Sequence, residues 1–341
     1  MKPELFIPQP IPEVAVQRLA QRCELTIYPH TDRRMPYAEV LDAVVDKDIL
    51  YALGEIPYDA KVIEAAANLK LIAAMHASAK FVDREAASRR GIPITIIPNR
   101  IAKTTAELTF ALLMATAWRL PEADRFLREG KWQQNQSMAF LGTRLFDKTL
   151  GIVGMGTIGT DVAVKARACG MRILYNKRNR LSPAEETALG ADYRSLVDLF
   201  RESDFVALTT TLTKDTKGMI NADLIGLMKP SAILINTSRG TVIDEAALEE
   251  ALVEGRIRGA GLDVYENEIP DVEVPGPSER FKSLPNVVLT PHIGTAARET
   301  REEMALRTVE NIERFLDGLR PLDVLNPEVY GEAATGDERI G

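Results

Sequence analysis

The chain is poor in the residues that build several common kinds of site. Its 341 residues include only two cysteines and three histidines. Cys23 and Cys169 lie far apart without metal-ligand spacing, so neither a disulfide framework nor a cysteine metal motif is expected, and the pattern suits a reducing compartment. Positive charge is short as well. Lys and Arg number 42 against 49 Asp and Glu, a formal net charge of −7, whereas a general nucleic-acid binder carries a strong basic footprint. Nucleic acid is therefore not an expected partner. Long apolar runs are missing. The most apolar stretch, "LTFALLMATAW" at 108–118, runs 11 residues between Glu107 and Arg119, well short of the roughly 20 that span a bilayer. The opening "MKPELFIPQP" is broken by proline and has no apolar signal core, which argues against a secretory leader. A soluble, cytoplasmic protein without a membrane partner is expected, and nothing suggests a metal site.

What is present is an ordinary globular balance, 45% apolar and 27% charged, in a chain long enough for two domains. Residues 1–100 alternate short apolar runs at 5–8, 25–28, 49–53, 69–75 and 92–97 with helical patterns at 12–20, 37–45, 57–67 and 83–90. Such alternation predicts a parallel sheet covered by helices. A second series begins with a helix near 104–118 and continues through apolar runs at 149–154, 172–176, 204–209, 232–237, 259–264 and 286–291. A last helical pattern, about 296–317, should return to the first domain. No internal repeat or low-complexity tract is visible. The segment 120–148, near Trp118 and holding Trp132, is too long for a compact βα connection, and loops beyond about 12–15 residues are usually functional or docked. A subunit contact is the favoured reading; a surface excursion packed on its own subunit is the alternative.

"TLGIVGMGTIGTDVAVKARACG" holds Gly154, Gly156 and Gly159 in G-x-G-x-x-G spacing. Alone the spacing is weak, but here an apolar strand precedes it and a helical pattern follows. In that setting the first glycine makes the tight turn, the second lets backbone approach a pyrophosphate, and the third allows close helix packing. The first N–H groups of the helix favour the anion. About 20 residues further on, dinucleotide sites that take NAD place an acidic side chain. Here "MRILYNKRNR" offers Asn176, then Lys177, Arg178 and Arg180. A carboxylate would repel a 2′-phosphate by roughly 4 kcal/mol at about 4 Å and an effective dielectric of about 20. Asn176 removes that repulsion, and a neighbouring cation, Arg178 above all, could grip the phosphate in two places. NADP(H) is the expected cofactor, with NAD(H) possible.

Of His30, His76 and His292, the last lies in "VVLTPHIGTAA", directly after an apolar strand, where open α/β sheets place their ligand crevice. Histidine passes protons near neutral pH. "AILINTSRGTVIDEAAL" sets Arg239 beyond another strand end, and a guanidinium can grip a carboxylate. Asp244 in the same stretch reads as a helix N-cap. "GAGLDVYENEIP" offers Asp263, Glu266 and Glu268, any of which could orient the imidazole.

Taken together, "GIVGMGTIG", "LINTSRGTVIDEAAL", "GAGLDVYENEIP" and "NVVLTPHIGTA" resemble the D-isomer-specific 2-hydroxyacid dehydrogenase family over nearly the whole chain. Within it, "ILYNKRNR" and "NPEVYG" are most similar to the glyoxylate/hydroxypyruvate reductases, including the 2-ketogluconate reductase type. The resemblance implies an α/β fold of two domains: a flavodoxin-like substrate-binding domain over 1–100, completed by 294–330, and a Rossmann-type dinucleotide-binding domain over 101–293. Residues 331–341 would form a tail. Homodimer assembly through the cofactor domain is also implied. Arg239, Glu268 and His292 match the family's catalytic trio. Arg239 would hold the substrate carboxylate, His292 would protonate the keto oxygen, and Glu268 rather than Glu266 would hold His292. By the same resemblance the cofactor would meet Thr105, Gly154, Gly156, Thr157, Ile158, Gly159, Asn176, Lys177 and Arg178. It would also meet Thr210, Thr211, Thr237, Asp263, His292, Gly294 and Thr295. The amides of Ala77, Ser78 and Ala79 would bind the substrate carboxylate.

Some residues depart from the family pattern. Its glycine-rich substrate loop followed by Asp-Asn reads "MHASAKFVD" here, with His76 expected to pack under the loop and Lys80 and Phe81 beyond it. Thr211 stands where proline is usual, Thr295 where serine is common, and Phe140 and Leu141 where aromatic residues are often seen. The leading expectation is an NADPH-preferring reductase of small 2-oxo acids to D-2-hydroxy acids. Dehydrogenases of another small anion, phosphite or a sugar acid, share the cofactor motifs, and corepressor-like binding proteins use the same fold. A phosphoglycerate dehydrogenase is a weaker match, because no regulatory domain follows.

Overall fold

A computed structural model describes residues 1–54, 56–98, 102–268 and 275–331. Most of the expected tail, 332–341, lies outside them, as do Ile269 and Pro270 of the motif that carries Glu268. The chain divides into two compact units, Met1–Ile101 with Ala296–Gly341, and Ala102–Thr295.

The first stretch runs β1 (Glu4–Ile7), α1 (Glu13–Ala20), β2 (Glu24–Ile27), α2 (Tyr37–Ala43), β3 (Ile49–Ala52), α3 (Ala60–Ala65), β4 (Leu71–Ala74), α4 (Arg84–Arg89) and β5 (Ile94–Thr95). Then come α5 (Ala102–Ala117), α6 (Leu120–Arg128), β6 (Thr149–Val153), α7 (Thr157–Ala168), β7 (Arg172–Asn176), α8 (Pro183–Leu189), β8 (Ala191–Tyr193), α9 (Leu196–Glu202) and β9 (Phe205–Leu208). The chain continues with α10 (Ala222–Gly226), β10 (Ile233–Asn236), α11 (Glu245–Val253), β11 (Gly259–Leu262), α12 (Glu279–Ser283), β12 (Val287–Leu289) and α13 (Arg298–Leu316).

In the first unit five parallel strands lie in the order β2-β1-β3-β4-β5, the flavodoxin-like arrangement. β3 and β4 are buried along their whole length, as parallel strands covered on both faces must be. α13 closes one face. Its Met304, Ala305, Val309 and Ile312 join Leu5, Ile7, Leu71 and Ala73 in one core, and Arg18 of α1 pairs with Glu313 at 2.6 Å. Beyond it, fully buried Asn326 accepts the Ile94 N–H (2.7 Å) and donates to Ile92 O (2.9 Å). With the backbone of 323–325, which bridges β5 antiparallel at Thr95 and Val324, it covers an edge that would otherwise expose unpaired backbone groups.

The second unit holds seven parallel strands in the order β12-β11-β10-β9-β6-β7-β8. Six of them, β8-β7-β6-β9-β10-β11, reproduce the doubly wound Rossmann order, reversing between β6 and β9, where ligands bind at the carboxyl ends of strands. The expected pair of folds, Rossmann-type and flavodoxin-like, is what the chain adopts. Side-chain caps mark some of the helix starts: Asp244 Oδ1 accepts the Ala247 N–H at 3.1 Å, the cap expected of it, and Ser182 with Glu185 forms a capping box on α8.

Two elements escape the sequence pattern. β8 is three residues long, mostly polar, and sits at a sheet edge, so it lacks the buried alternation that announces a strand. α6 occupies the start of the expected long loop; it follows a left-handed Arg119 and has Pro121 in its first turn, and it buries no side chain. Among the described residues no helix is long and apolar enough to cross a membrane.

Candidate active site

The candidate residues of the second unit gather at the carboxyl ends of its strands. The β6–α7 turn is held in a conformation that few residues allow. Gly154 has φ +102°, and a Cβ there would collide with the backbone of Thr210. A Cβ on Gly159 would collide with Gly154 O, so β6, α7 and the end of β9 press together only because both positions lack side chains. Gly156 differs. A Cβ there would meet nothing within 4 Å, and no side chain caps α7 at this position. Open space above bare backbone, with the first-turn N–H groups of Thr157 and Ile158 unclaimed by the helix, is a cradle fit for a pyrophosphate.

At the end of β7, Asn176 is partly buried and its amide donates to Arg194 O at 2.8 Å, so it ties β7 to the exit of β8. Lys177 is half-buried and Arg178 exposed. Arg180 is engaged elsewhere: it pairs with Glu186 at 2.8 Å and lies over the Tyr193 ring. Of the basic run, Lys177 and Arg178 remain beside Asn176.

Thr210 is half-buried and Thr211 exposed, with the Thr211 carbonyl accepting from Thr216 at 2.7 Å. Thr237 is buried and shares a 2.6 Å hydroxyl–hydroxyl bond with Thr109. Thr105 donates to Gly294 O at 3.1 Å, joining α5 to the loop after β12. Thr295 follows in that loop, half-buried.

Arg239, Glu268 and His292 follow three adjacent strands, β10, β11 and β12. Arg239 is exposed, with one guanidinium nitrogen donating to Ser238 O at 2.6 Å. Asn236 braces that turn, accepting from Ser238 and donating to Arg239 O. Glu268 Oε1 accepts the Tyr265 N–H at 2.8 Å, and Glu268 Oε2 lies 2.9 Å from His292 Nδ1. Glu266 does not share this contact; its N–H goes instead to Glu245. With Nδ1 held by a carboxylate, the ring presents Nε2 outward. The bond to Glu268 raises the His292 pKa above the ordinary imidazole range, and burial only partly opposes it.

His292 itself has φ +52°, a left-handed conformation costing an L-residue about 1–2 kcal/mol. Asp263 sustains it. The carboxylate is buried and accepts from Thr290 Oγ1 (2.6 Å), Ile293 N–H (2.8 Å) and Gly294 N–H (3.0 Å), while its own carbonyl accepts the His292 N–H (3.0 Å). Burial pushes the Asp263 carboxyl up from its ordinary value. Gly294 is thereby bound into the second unit. Tyr265 adds a brace, its hydroxyl touching Leu262 O and Thr290 O at 3.0 and 2.8 Å.

In the first unit, the loop after β4 carries Ala77, Ser78 and Ala79. The Ser78 N–H donates to His76 Nδ1 at 3.0 Å, which commits that amide within the loop. His76 also stands edge-on to Phe81, with 5.6 Å between ring centres, and Ala79 is buried. A cavity of about 450 Å³ opens elsewhere, at the amino ends of β10–β12, lined by Thr116, Arg125, Arg258 and Asn286 among others. It includes none of the candidate catalytic residues. Among the described residues no His, Cys, Asp and Glu cluster could hold a metal.

The family model "D-isomer specific 2-hydroxyacid dehydrogenase, NAD binding domain" matches residues 110–294. The chain belongs to the D-isomer-specific 2-hydroxyacid dehydrogenases. As a member it is a nicotinamide-dinucleotide-dependent oxidoreductase. Two relatives are the glyoxylate reductase of Thermococcus kodakarensis, 44% identical across 96% of this chain and 98% of its own, and that of Pyrococcus furiosus, 43% identical across 96% and 97%. Among solved structures, the NADPH-dependent glyoxylate/hydroxypyruvate reductase of Sinorhizobium meliloti, in complex with NADP and malonate, superposes with a TM-score of 0.81. It is 29% identical and covers 98% of this chain and 100% of its own. The resemblance of four stretches to this dehydrogenase family agrees with the match. It did not single out Asn236, Glu245, Tyr265 or Thr290, whose bonds hold the site, because their signal is in three dimensions.

Proposed function

We propose that this dehydrogenase reduces glyoxylate-type 2-oxo acids to D-2-hydroxy acids, with NADPH preferred over NADH. The observation that carries the reading is the 2.9 Å bond from Glu268 to His292 Nδ1, beside Arg239 at the ends of three adjacent strands. A nicotinamide dinucleotide, when bound, would supply the hydride for the carbonyl carbon. His292 gives the keto oxygen its proton from Nε2, and Glu268 stabilises the imidazolium that must be present beforehand. Arg239 grips the substrate carboxylate with its fork of donors and polarises the keto group. Malonate in the Sinorhizobium meliloti enzyme is likewise a small carboxylate. In this reading Asp263 and Thr105 would face the nicotinamide, and Gly294, Thr295, Thr210, Thr211 and Thr237 would also contact the cofactor. The first unit would bind substrate through the amides of Ala77 and Ala79, and the second would bind dinucleotide.

Asn176 in place of an acid, with Lys177 and Arg178 beside it, supports the cofactor preference. We further propose a cytoplasmic homodimer formed through the second unit. Half of the exposed large apolar side chains among the described residues lie in 118–146, including Trp118, Leu127, Trp132 and Met138. The loop "HASAKF" favours a second reading, in which another small anion such as phosphite is the substrate, because His76 and Lys80 replace the family's usual loop chemistry.

Steady-state kcat/KM for glyoxylate and hydroxypyruvate, each with NADPH and NADH, tests these proposals. Higher values with NADPH support both chemistry and cofactor choice; activity with NADH alone removes the phosphate argument. Asn176→Asp combined with Arg178→Ala should then move the NADPH/NADH ratio toward NADH. No turnover with either cofactor would turn attention to phosphite or to a binding role.

A further inference from the structure

One carboxylate outside the catalytic trio bears on its geometry. Glu245 opens α11, directly after the N-cap Asp244, on the connection that began at Arg239. Its Oε1 accepts the backbone N–H of Glu266 at 2.6 Å. Glu266 belongs to the turn 265–268, in which Glu268 Oε1 takes the Tyr265 N–H and Glu268 Oε2 meets His292. One side chain thus joins the connections leaving β10 and β11. These connections are also pressed together. A Cβ on Gly240 would collide with the backbone of Tyr265 and Glu266, so glycine alone permits the approach.

We propose that Glu245 is a positioning residue for the acid–base pair, holding the Glu266 N–H and so fixing the turn that delivers Glu268 to His292. This rests on the reading that His292 and Glu268 handle the reaction's proton. A carboxylate is a costly choice at this place. Glu245 is half-buried, with Glu249 of its own helix and Glu266 and Glu268 of the turn facing it among the described residues. Burial first, and then these three acids, push it up to about 7, although the Glu266 amide works in the opposite direction. The gain is a strong bond from an amide to an ionised acceptor. A protonated acid keeps a carbonyl oxygen that can accept the same N–H, so the anchor survives titration.

The chain has only three histidines, so the His292 ring signals are assignable by comparison with His292→Gln. NMR titration of His292, without added ligand, should be run on the unaltered protein and on Glu245→Ala, Glu245→Asp and Glu245→Gln. Alanine removes the acceptor and aspartate is one methylene too short to reach it. Both should lower the His292 midpoint by about one pH unit as the Glu268 contact loosens. Glutamine retains an oxygen in place and should restore the midpoint to within about 0.3 unit. The high-pH limb of glyoxylate reduction should move in step, with dinucleotide affinity unchanged. An unmoved His292 midpoint in both folded Ala and Asp variants overturns the proposal, as does a glutamine variant that fails to restore it. If the unaltered protein does not reduce glyoxylate, the reaction reading fails, while the NMR titration still decides the role of Glu245.

Discussion

At the scale of single residues, the site depends on a histidine held where few side chains settle. His292 lies in the left-handed region because Asp263 gathers the amides on either side of it and Thr290 braces the carboxylate. If His292 is the proton donor, His292→Gln should lower kcat for glyoxylate reduction by about 10²- to 10⁴-fold. Dinucleotide Kd, read by fluorescence titration, should stay within about twofold, since the phosphate cradle is built by other backbone. Near-normal turnover in that variant would remove the role. Glu268 sets the direction of the pH response. Its bond raises the His292 pKa, and a proton donor works only while protonated, so reduction should fall as pH rises through that raised value. Glu268→Gln keeps the shape and removes the charge. The high-pH limb of kcat should therefore move to lower pH, and a limb that stays in place would show that the carboxylate does not govern the imidazole.

At the scale of elements, both sheets rest on segments that bring remote chain together. Asn326 serves the edge of β5 with three bonds: from Ile94 N–H, and to Ile92 O and Ser88 Oγ at 2.9 and 3.0 Å. Asn326→Ala would leave buried backbone groups without partners, a loss of about 1–3 kcal/mol each. Urea unfolding should show a lower midpoint, and an unchanged midpoint would mean that the edge finds other partners. Such long-range service is also where sequence reading ends. The apolar runs of β6, β9 and β10 announce themselves because both faces are buried. The three residues of β8 and the unburied α6 carry no such pattern. Arg180 shows the same limit on a smaller scale: in the sequence it is one more cation beside Asn176, and only the fold turns it to Glu186 and Tyr193.

For the molecule as a whole, the proposed homodimer can be tested at the segment after α5. Phe126 and Phe140 pack against each other with ring centres 5.0 Å apart, yet Leu127 and Trp132 remain 58% and 57% exposed, apolar surface that a partner could cover. If the homodimer forms there, Leu127→Glu with Trp132→Glu should yield monomers by analytical ultracentrifugation while far-UV circular dichroism is unchanged, because α6 buries no side chain in its own subunit. A dimer that persists would place the contact elsewhere. The sequence by itself determined the two α/β folds, through local periodicity, and the phosphate turn, through the G-x-G-x-x-G spacing between a strand and a helix, while the resemblance of four motifs carried the family. The residues alone left Asp263, Glu266 and Glu268 open, and the family resemblance chose Glu268; only tertiary structure decided that Asp263 holds the loop beneath His292 and that Glu245 ties two connections together. The reason is geometric: several acids within a few residues look alike along a chain, and only folding assigns each carboxylate the donor it meets.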